Sequence, residues 1–288
     1  MGLDAEHRQM VMANTLVSTD WLAARLGDPK VAVVDASWYM PKSGRDPDAD
    51  YRAAHIPGAV RFNIDEVADH SSDLPHTLAK PDDFARAAGA LGISEDMTIV
   101  VYDGAGLFSA PRVWWNFRIM GAKDVRVLDG GFPKWQAENR PVESGMTKRA
   151  AKTFVAEFDA GAVSDVDDVR TALSGEVQVV DARSATRFRG EEQEPRPGVE
   201  AGHMPGAKNV HYASIIEDGR LKDAAELEKI FRAAGVDPSK PMLTTCGSGV
   251  SAAILALAVE KIGNTVPRIY DGSWAEWGGR PDTPKERG

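Results

Sequence analysis

The sequence predicts an α/β protein made of two tandem copies of one domain, each a mainly parallel sheet with helices on both faces. Three observations lead there. Short apolar, β-branched runs alternate with stretches of helical length and spacing. Four landmarks recur in the same order in the two halves of the 288-residue chain. The single cysteine, Cys246, lies where one of the apolar runs gives way to a helical stretch.

The first half holds Val33-Val34-Asp35-Ala36-Ser37, His55-Ile56-Pro57-Gly58-Ala59, Ile99-Val100-Val101-Tyr102-Asp103, and Leu128-Asp129-Gly130-Gly131 followed by Trp135. The second holds Val179-Val180-Asp181-Ala182-Arg183, His203-Met204-Pro205-Gly206-Ala207, Met242-Leu243-Thr244-Thr245-Cys246, and Tyr270-Asp271-Gly272-Ser273 followed by Trp277. Chance supplies one such match, not four at nearly constant offset.

In the first copy, Val31–Asp35, Ile99–Tyr102 and Val125–Leu128 have strand length and composition. Pro81–Leu91 and Ala110–Met120 carry helical spacing. In the second copy, Pro241–Thr245 is the strand before the cysteine and Val250–Ile262 the alanine- and leucine-rich helix after it. Strands separated by helices make a parallel sheet covered on both faces, and such sheets bind ligands beyond the carboxyl ends of their strands. The expected limits are a tail over 1–14, a first domain over 15–142, a linker over 143–160 and a second domain over 161–288. The stretch Glu138–Gly161 carries Pro141, Gly145, Lys148-Arg149 and the alternating Phe154-Val155-Ala156-Glu157-Phe158. It is expected to lie, ordered, along the surface of the domains and to tie them together.

Composition narrows the function classes. At 43% hydrophobic and 27% charged residues the chain reads as soluble and globular. A net charge of -9 argues against a nucleic-acid partner, so an anionic substrate needs a local group of arginines. One cysteine excludes an internal disulfide and suits a reducing compartment. No apolar run has transmembrane length, and Met1–Met12, with Asp4, Glu6, His7 and Arg8, lacks a signal-peptide core. A cytoplasmic, monomeric enzyme without a membrane partner is expected. Neither metal-ligand spacing nor a phosphate-loop or dinucleotide motif occurs, so no metal or cofactor is expected.

Cys246 opens the segment Cys246-Gly247-Ser248-Gly249-Val250-Ser251-Ala252. A thiol at a strand-to-helix turn lies where backbone N–H groups point at a negative sulfur, and the thiolate is the nucleophilic form. Gly247 and Gly249 let the chain curl around it. An inert, buried core cysteine is the competing reading. In the first copy Asp103 holds the matching place, with a loop one residue longer. An aspartate cannot carry a transferable sulfur, so only the second copy is armed.

The repeat, the aspartate-for-cysteine exchange and the segment Cys246–Ala252 resemble the two-domain sulfurtransferases of the rhodanese superfamily, over about residues 15 to 285. The resemblance implies two rhodanese-like domains and a cysteine persulfide. Within that family, thiosulfate enzymes place basic residues directly after the cysteine. Enzymes that use 3-mercaptopyruvate have Cys-Gly-Ser-Gly-Val-Thr-Ala, from which this chain departs only at Ser251, a threonine without its methyl. The loop residues Gly247, Gly249, Val250 and Ser251 are thereby implied to contact the donor. The run Asp181–Gly190 is similar to the family segment whose arginine before the aromatic binds substrate, which maps to Arg187. Arg196 in Glu194-Pro195-Arg196-Pro197-Gly198 matches the second carboxylate-binding arginine. Asp65 and His76 match the spacing of an Asp-His pair proposed to form a relay with Ser248. The implied acceptor is a thiol such as thioredoxin, or cyanide.

Other readings stay open. Thiosulfate is the rival donor. A cysteine phosphatase needs an arginine at the sixth residue after the cysteine, which here is Ala252. A catalytically silent binding module fits the first copy alone. Ser248 has the alternative of capping the following helix, and His76 that of a plain loop residue. His55 and His203 recur in both copies, so a structural bond to a backbone carbonyl near the turn is expected of them. Trp114, Trp115, Trp274 and Trp277 read as packing residues, with Trp274 as an alternative pocket wall.

Overall fold

A computed structural model describes residues 15–288; the tail expected over 1–14 lies outside them. The described chain packs as two compact units. One holds the residues through Asp69, Leu78–Asp159 and Asp218–Leu221; the other holds His70–Thr77, Ala160–Glu217 and Lys222–Gly288. Among the described residues no helix is long and apolar enough to cross a membrane.

The first unit is built on β1 (Leu16–Val17), β2 (Val31–Asp35), β3 (Val60–Arg61), β4 (Thr98–Tyr102) and β5 (Asp124–Leu128). Their order is β1-β5-β4-β2-β3, and every neighbouring pair is parallel. Its helices are α1 (Thr19–Ala23), α2 (Pro47–Ala53), α3 (Pro81–Ala90), α4 (Ala110–Ile119) and α5 (Gly131–Ala137). The central strand β4 shows why the fold forms. Val100 and Tyr102 pack with Val31, Val33, Leu22 of α1 and Trp135 of α5. Ile99 and Val101, pointing the other way by the period of a strand, are equally buried, and α4 lies against β4 and β5. Asp46 starts α2 by accepting hydrogen bonds from the amides of Asp48 and Ala49. Pro81 sits in the first turn of α3, where its missing N–H costs nothing.

The segment after α5 is ordered but forms no strand over 148–159. It runs along the first unit. Lys152 N–H donates to Gly89 O at 2.9 Å, Glu157 N–H to Met120 O at 3.0 Å and Asp159 N–H to Ile119 O at 2.7 Å. Phe154 enters an aromatic cluster, its ring 5.6 Å from Phe84 and 6.1 Å from Phe117. Its neighbours Val155 and Phe158 are exposed. The alternation read from sequence therefore reflects one anchoring ring on an irregular strap.

The second unit repeats the plan. It contains β6 (Val163–Ser164), α6 (Val166–Leu173), β7 (Gln178–Asp181), α7 (Ala185–Phe188) and β8 (Lys208–Asn209). The two-residue strands β9 (Ile216–Glu217) and β10 (Arg220–Leu221) follow in sequence. Then come α8 (Ala224–Ala233), β11 (Met242–Thr245), α9 (Ala252–Lys261), β12 (Arg268–Tyr270) and α10 (Ser273–Trp277). The sheet runs β6-β12-β11-β7-β8, all parallel. Val169 of α6, Val179, Leu243, Tyr270, Trp274 and Trp277 form its core on one face. The helix α9, buried along nearly its whole length, packs on β11 and β12. Trp114, Trp115, Trp135, Trp274 and Trp277 are all fully buried. Truncating any of them to alanine costs about 3–5 kcal/mol, so the packing role read for Trp114, Trp115, Trp274 and Trp277 holds.

One boundary differs where it matters. The helix expected from Val250 begins at Ala252, with Ser251 as its N-cap. Gly249 sits at φ +78°, a left-handed conformation that cannot belong to the helix, and Val250 and Ser251 complete the turn. Ser248 is thus not the cap.

Candidate active site

Cys246 follows β11 at its carboxyl end. Thr245 is in register with Asp181 of β7, and Ala182 N–H donates to Thr245 O at 2.8 Å. The cysteine is buried, 2% exposed. Its backbone is held at both ends by the start of α10. The Cys246 N–H donates to Ser273 Oγ at 3.2 Å, and Cys246 O accepts from Trp274 N–H at 2.9 Å. Gly247 O accepts from Ala275 N–H at 2.9 Å. Ser273 Oγ in turn donates to Tyr270 O at 2.8 Å.

Arg187 reaches this loop. It lies on α7, capped by Ser184, whose hydroxyl accepts from the Arg187 amide. A Cβ placed on Gly247 would stand 3.2 Å from Arg187 Nη2 and 3.6 Å from Nη1. Glycine at 247 therefore leaves room for a guanidinium beside the cysteine. Arg187 is oriented by Glu194, which accepts from its Nε at 3.3 Å and from its Nη2. Glu194 is itself held by Arg183 Nη1 at 2.8 Å, and Arg183 forks onto Asp181 through Nε and Nη2. Asp181, Arg183 and Glu194 are almost wholly buried, whereas Arg187 retains 20% exposure. A buried chain of alternating charges is costly to break at one member, about 3–5 kcal/mol. It thus fixes one solvent-touching guanidinium next to Cys246. Arg183 also lies 4.4 Å over the ring of Trp274. Trp274 directs its Nε1–H to Glu200 O at 2.9 Å and is fully buried, so it is a packing residue and not a pocket wall.

Arg196 lies half-buried further along the 190–202 loop. Ser248 is half-buried at the crest of the turn, and Gly249, Val250 and Ser251 are buried behind it. His76 is 8% exposed and holds φ +58°, an uncommon conformation in which histidine is enriched. It belongs to the same compact unit as Cys246, whereas Asp65 belongs to the other. There Asp65 Oδ2 accepts from Trp38 Nε1 at 2.9 Å.

Tyr212, not anticipated from sequence, lies within the electrostatic reach of the cysteine. Burial pushes its phenol above the ordinary value, Arg187 pulls it down and Cys246 adds to the rise. Ser273, Arg183, Glu194 and Tyr212 are the residues sequence reasoning missed. One signal was available: position 273 matches Gly131 of the first copy, which sits at φ +54°.

The first copy displays its loop with an anion in place. Asp103 is fully buried. Its Oδ1 accepts from Ala105 N–H at 2.9 Å, and its Oδ2 from Phe108 N–H at 2.7 Å and Ala110 N–H at 2.8 Å. Its carbonyl accepts from Phe132 N–H at 3.0 Å, the counterpart of the Cys246–Trp274 bond. The paired histidines are structural as expected. His55 Nδ1–H donates to Tyr51 O at 2.8 Å, and His203 Nδ1–H to Phe188 O at 2.9 Å. Among the described residues no group of three or more His, Cys, Asp or Glu side chains converges to hold a metal ion.

Comparison with known proteins agrees with this architecture. The family model of the rhodanese-like domain matches twice, over residues 18–138 and 165–280. The 3-mercaptopyruvate sulfurtransferase of Escherichia coli (strain K12) is 42% identical over 272 residues, covering 94% of this chain and 97% of its own. That of Rattus norvegicus is 42% identical over 270 residues, covering 91% of each. The crystal structure of SseA from Escherichia coli, described as a 3-mercaptopyruvate sulfotransferase with the rhodanese fold, superposes with a TM-score of 0.84. It is 40% identical, covering 91% of this chain and 99% of that one. The chain belongs to the rhodanese family, as a tandem pair of rhodanese-like domains of which the second carries the cysteine.

Proposed function

We propose that this protein is a 3-mercaptopyruvate sulfurtransferase that works through a persulfide on Cys246. The Cys246 thiolate attacks the donor sulfur and an S–S bond forms. The donor C–S bond breaks, and its electron pair leaves on pyruvate as the enolate. The thiol proton of the donor ends on the methylene carbon, giving pyruvate. An acceptor thiolate, such as that of thioredoxin, or cyanide then takes the outer sulfur and returns Cys246.

The observation that carries this reading is the Arg187 guanidinium beside Gly247, steered by Glu194 and still open to solvent. A guanidinium binds a carboxylate in two-point fashion, and 3-mercaptopyruvate presents its carboxylate a few bonds from its sulfur. Arg196 is the second arginine proposed for the same end of the donor. The Asp103 loop supports the rest: the same turn in the first copy gathers three amides around an anion. By that analogy Gly247, Gly249, Val250 and Ser251 surround the persulfide anion. Ser248, His76 and Asp65 are proposed as the proton relay. The proposed setting is the cytoplasm, as a monomer.

The test compares turnover with 3-mercaptopyruvate and with thiosulfate, alongside mass analysis of the Cys246 peptide after donor alone. Faster turnover with 3-mercaptopyruvate and a gain of one sulfur atom, both absent in Cys246→Ser, is the expected result. Preference for thiosulfate would establish the rival donor. No sulfur gain with either would leave a silent module.

A further inference from the structure

The first unit has a cleft of its own that the chemistry above does not use. Its volume is about 290 Å³, and Asp35, Ser37, Tyr39, Arg45 and Asp50 give it a polar lining. Ala54 and Phe132 add an apolar wall. Gly104 also lines it, following Asp103 as Gly247 follows Cys246. A Cβ on Gly104 would collide with Tyr39 Oη and stand 3.4 Å from Arg45 Nη2. A glycine thus leaves room for a guanidinium in this copy too. The Asp103 carboxylate already fills the turn that would hold a sulfur, so the cleft can bind a ligand beside the loop but cannot carry sulfur within it.

The cleft presents an ion pair with bonding capacity to spare. Arg45 donates from Nε and Nη2 to Asp50 Oδ2 at 3.1 and 2.7 Å, and from Nη1 to Gly104 O at 3.1 Å. Its guanidinium carbon lies 3.8 Å from the centroid of the Tyr39 ring. Tyr39 Oη donates to the same Asp50 Oδ2 at 3.0 Å. The guanidinium is therefore stacked and pinned, yet two of its five N–H groups take no partner among the described residues. Every side-chain bond to Asp50 falls on Oδ2, which leaves Oδ1 as an acceptor. Both side chains are open to solvent. Asp35 is buried, and its Oδ1 has the Arg61 guanidinium 3.9 Å away. Arg45 and Asp50 are thus the charges offered to a ligand. Ser37 Oγ, which accepts from Gly104 N–H at 2.9 Å, and Asp35 Oδ1, which accepts from Ser37 N–H at 2.9 Å, fix the loops around them.

We propose that this cleft is a binding site for a free α-amino acid with an apolar side chain, its carboxylate on Arg45 and its ammonium on Asp50 Oδ1. A zwitterion adds no net charge to a lining that already holds both signs. A plain carboxylate would meet Asp50, and a plain amine would meet Arg45. Arg45 and Asp50 touch each other, so the two charges of the ligand must also be neighbours, as they are on one α-carbon. Ala54 and Phe132 receive the side chain. Small-molecule sites run from about 300 to 1,000 Å³, and this cleft, at the lower limit, suits a ligand of amino-acid size. No bond is made or broken there, and the site stands independently of the sulfur chemistry.

The test is calorimetric titration of the full chain with three ligands of one carbon skeleton. These are L-leucine, 4-methyl-2-oxopentanoate, which lacks the ammonium, and 3-methylbutylamine, which lacks the carboxylate. L-Leucine is expected to bind at least about 10-fold more tightly than either analogue, the worth of one charge-assisted hydrogen bond. Arg45→Gln and Asp50→Asn should each weaken it by about 10- to 100-fold on the same scale. Both positions are open to solvent, and circular dichroism checks that the variants stay folded. No binding of L-leucine, or binding that both variants leave unchanged, overturns the proposal. Either analogue binding through Arg45 and Asp50 as tightly as L-leucine overturns the amino-acid assignment.

Discussion

Ser273 accepts a hydrogen bond from the Cys246 amide at 3.2 Å while its own backbone is left-handed, at φ +50°. The matching residue of the first copy is Gly131, at φ +54°. A side chain in that region costs about 1–2 kcal/mol, which glycine avoids. The second copy thus tolerates strain to place one hydroxyl under the reactive residue. Ser273→Ala removes the hydroxyl and keeps the strain; Ser273→Gly removes both. Each leaves the buried Cys246 amide without this acceptor, at about 1–3 kcal/mol. The alanine variant should be the less stable of the two by about 1 kcal/mol, and both should turn over several-fold more slowly. Urea unfolding and donor kinetics on both variants check this. A serine no more active than glycine would show that the hydroxyl does not tune the site.

Asp103 serves as the anion of its own loop, with three amides on its carboxylate. Asp103→Ala leaves those buried donors without it. The expected loss is about 3–5 kcal/mol of stability in the first unit, read from denaturant midpoints. Sulfur loading of Cys246 in the protein that remains folded should be unaffected.

Arg187→Ala should raise KM for 3-mercaptopyruvate by about 10- to 100-fold, the equivalent of one charge-assisted hydrogen-bond pair at about 1.5–3 kcal/mol. Arg187→Lys should recover only part, since an ammonium lacks the planar fork. Glu194→Gln should give an intermediate effect, because it loosens the guanidinium without removing it. Steady-state kinetics on the three variants separate these cases. Equal KM values across the set would detach Arg187 from the donor.

His76→Ala tests the relay. If His76 moves a proton, kcat falls by about 10²–10⁴-fold, the usual scale of general acid–base catalysis, and the pH–rate profile changes shape. A rate unaltered at every pH would retire the relay and leave His76 as a loop residue with an uncommon backbone.

Glu138 offers a pH-dependent stability. Lys134 above all, then Thr19 and Arg140, hold its carboxyl down to about 2, from an ordinary 4.5. A depressed carboxyl contributes stability that is complete above its unfolded value and is lost as pH falls through its folded one. Glu138→Gln should therefore be less stable than the parent at pH 5, and the two should converge as pH drops from about 4.5 to about 2. Unfolding midpoints followed by circular dichroism across that range measure it. A gap that stays constant with pH would mean another group titrates there.

The sequence by itself determined the tandem α/β plan, the central strands to within a residue, and the position of the cysteine at a strand end. Periodicity, internal repetition and glycine placement are local or copy-to-copy signals, legible wherever they fall. The start of α9 was misread because Gly249 obeys a local constraint that composition does not encode. Tertiary structure alone decided what surrounds the sulfur. Ser273 is 27 residues from the amide it holds, and the Tyr212 amide donates to Ala182 O, just beyond the end of β7. Glu194 was in view within its loop, but only packing made it the link from Arg183 to Arg187. Such contacts depend on how separate strand ends converge at one edge of the sheet, and no single stretch of chain carries that information.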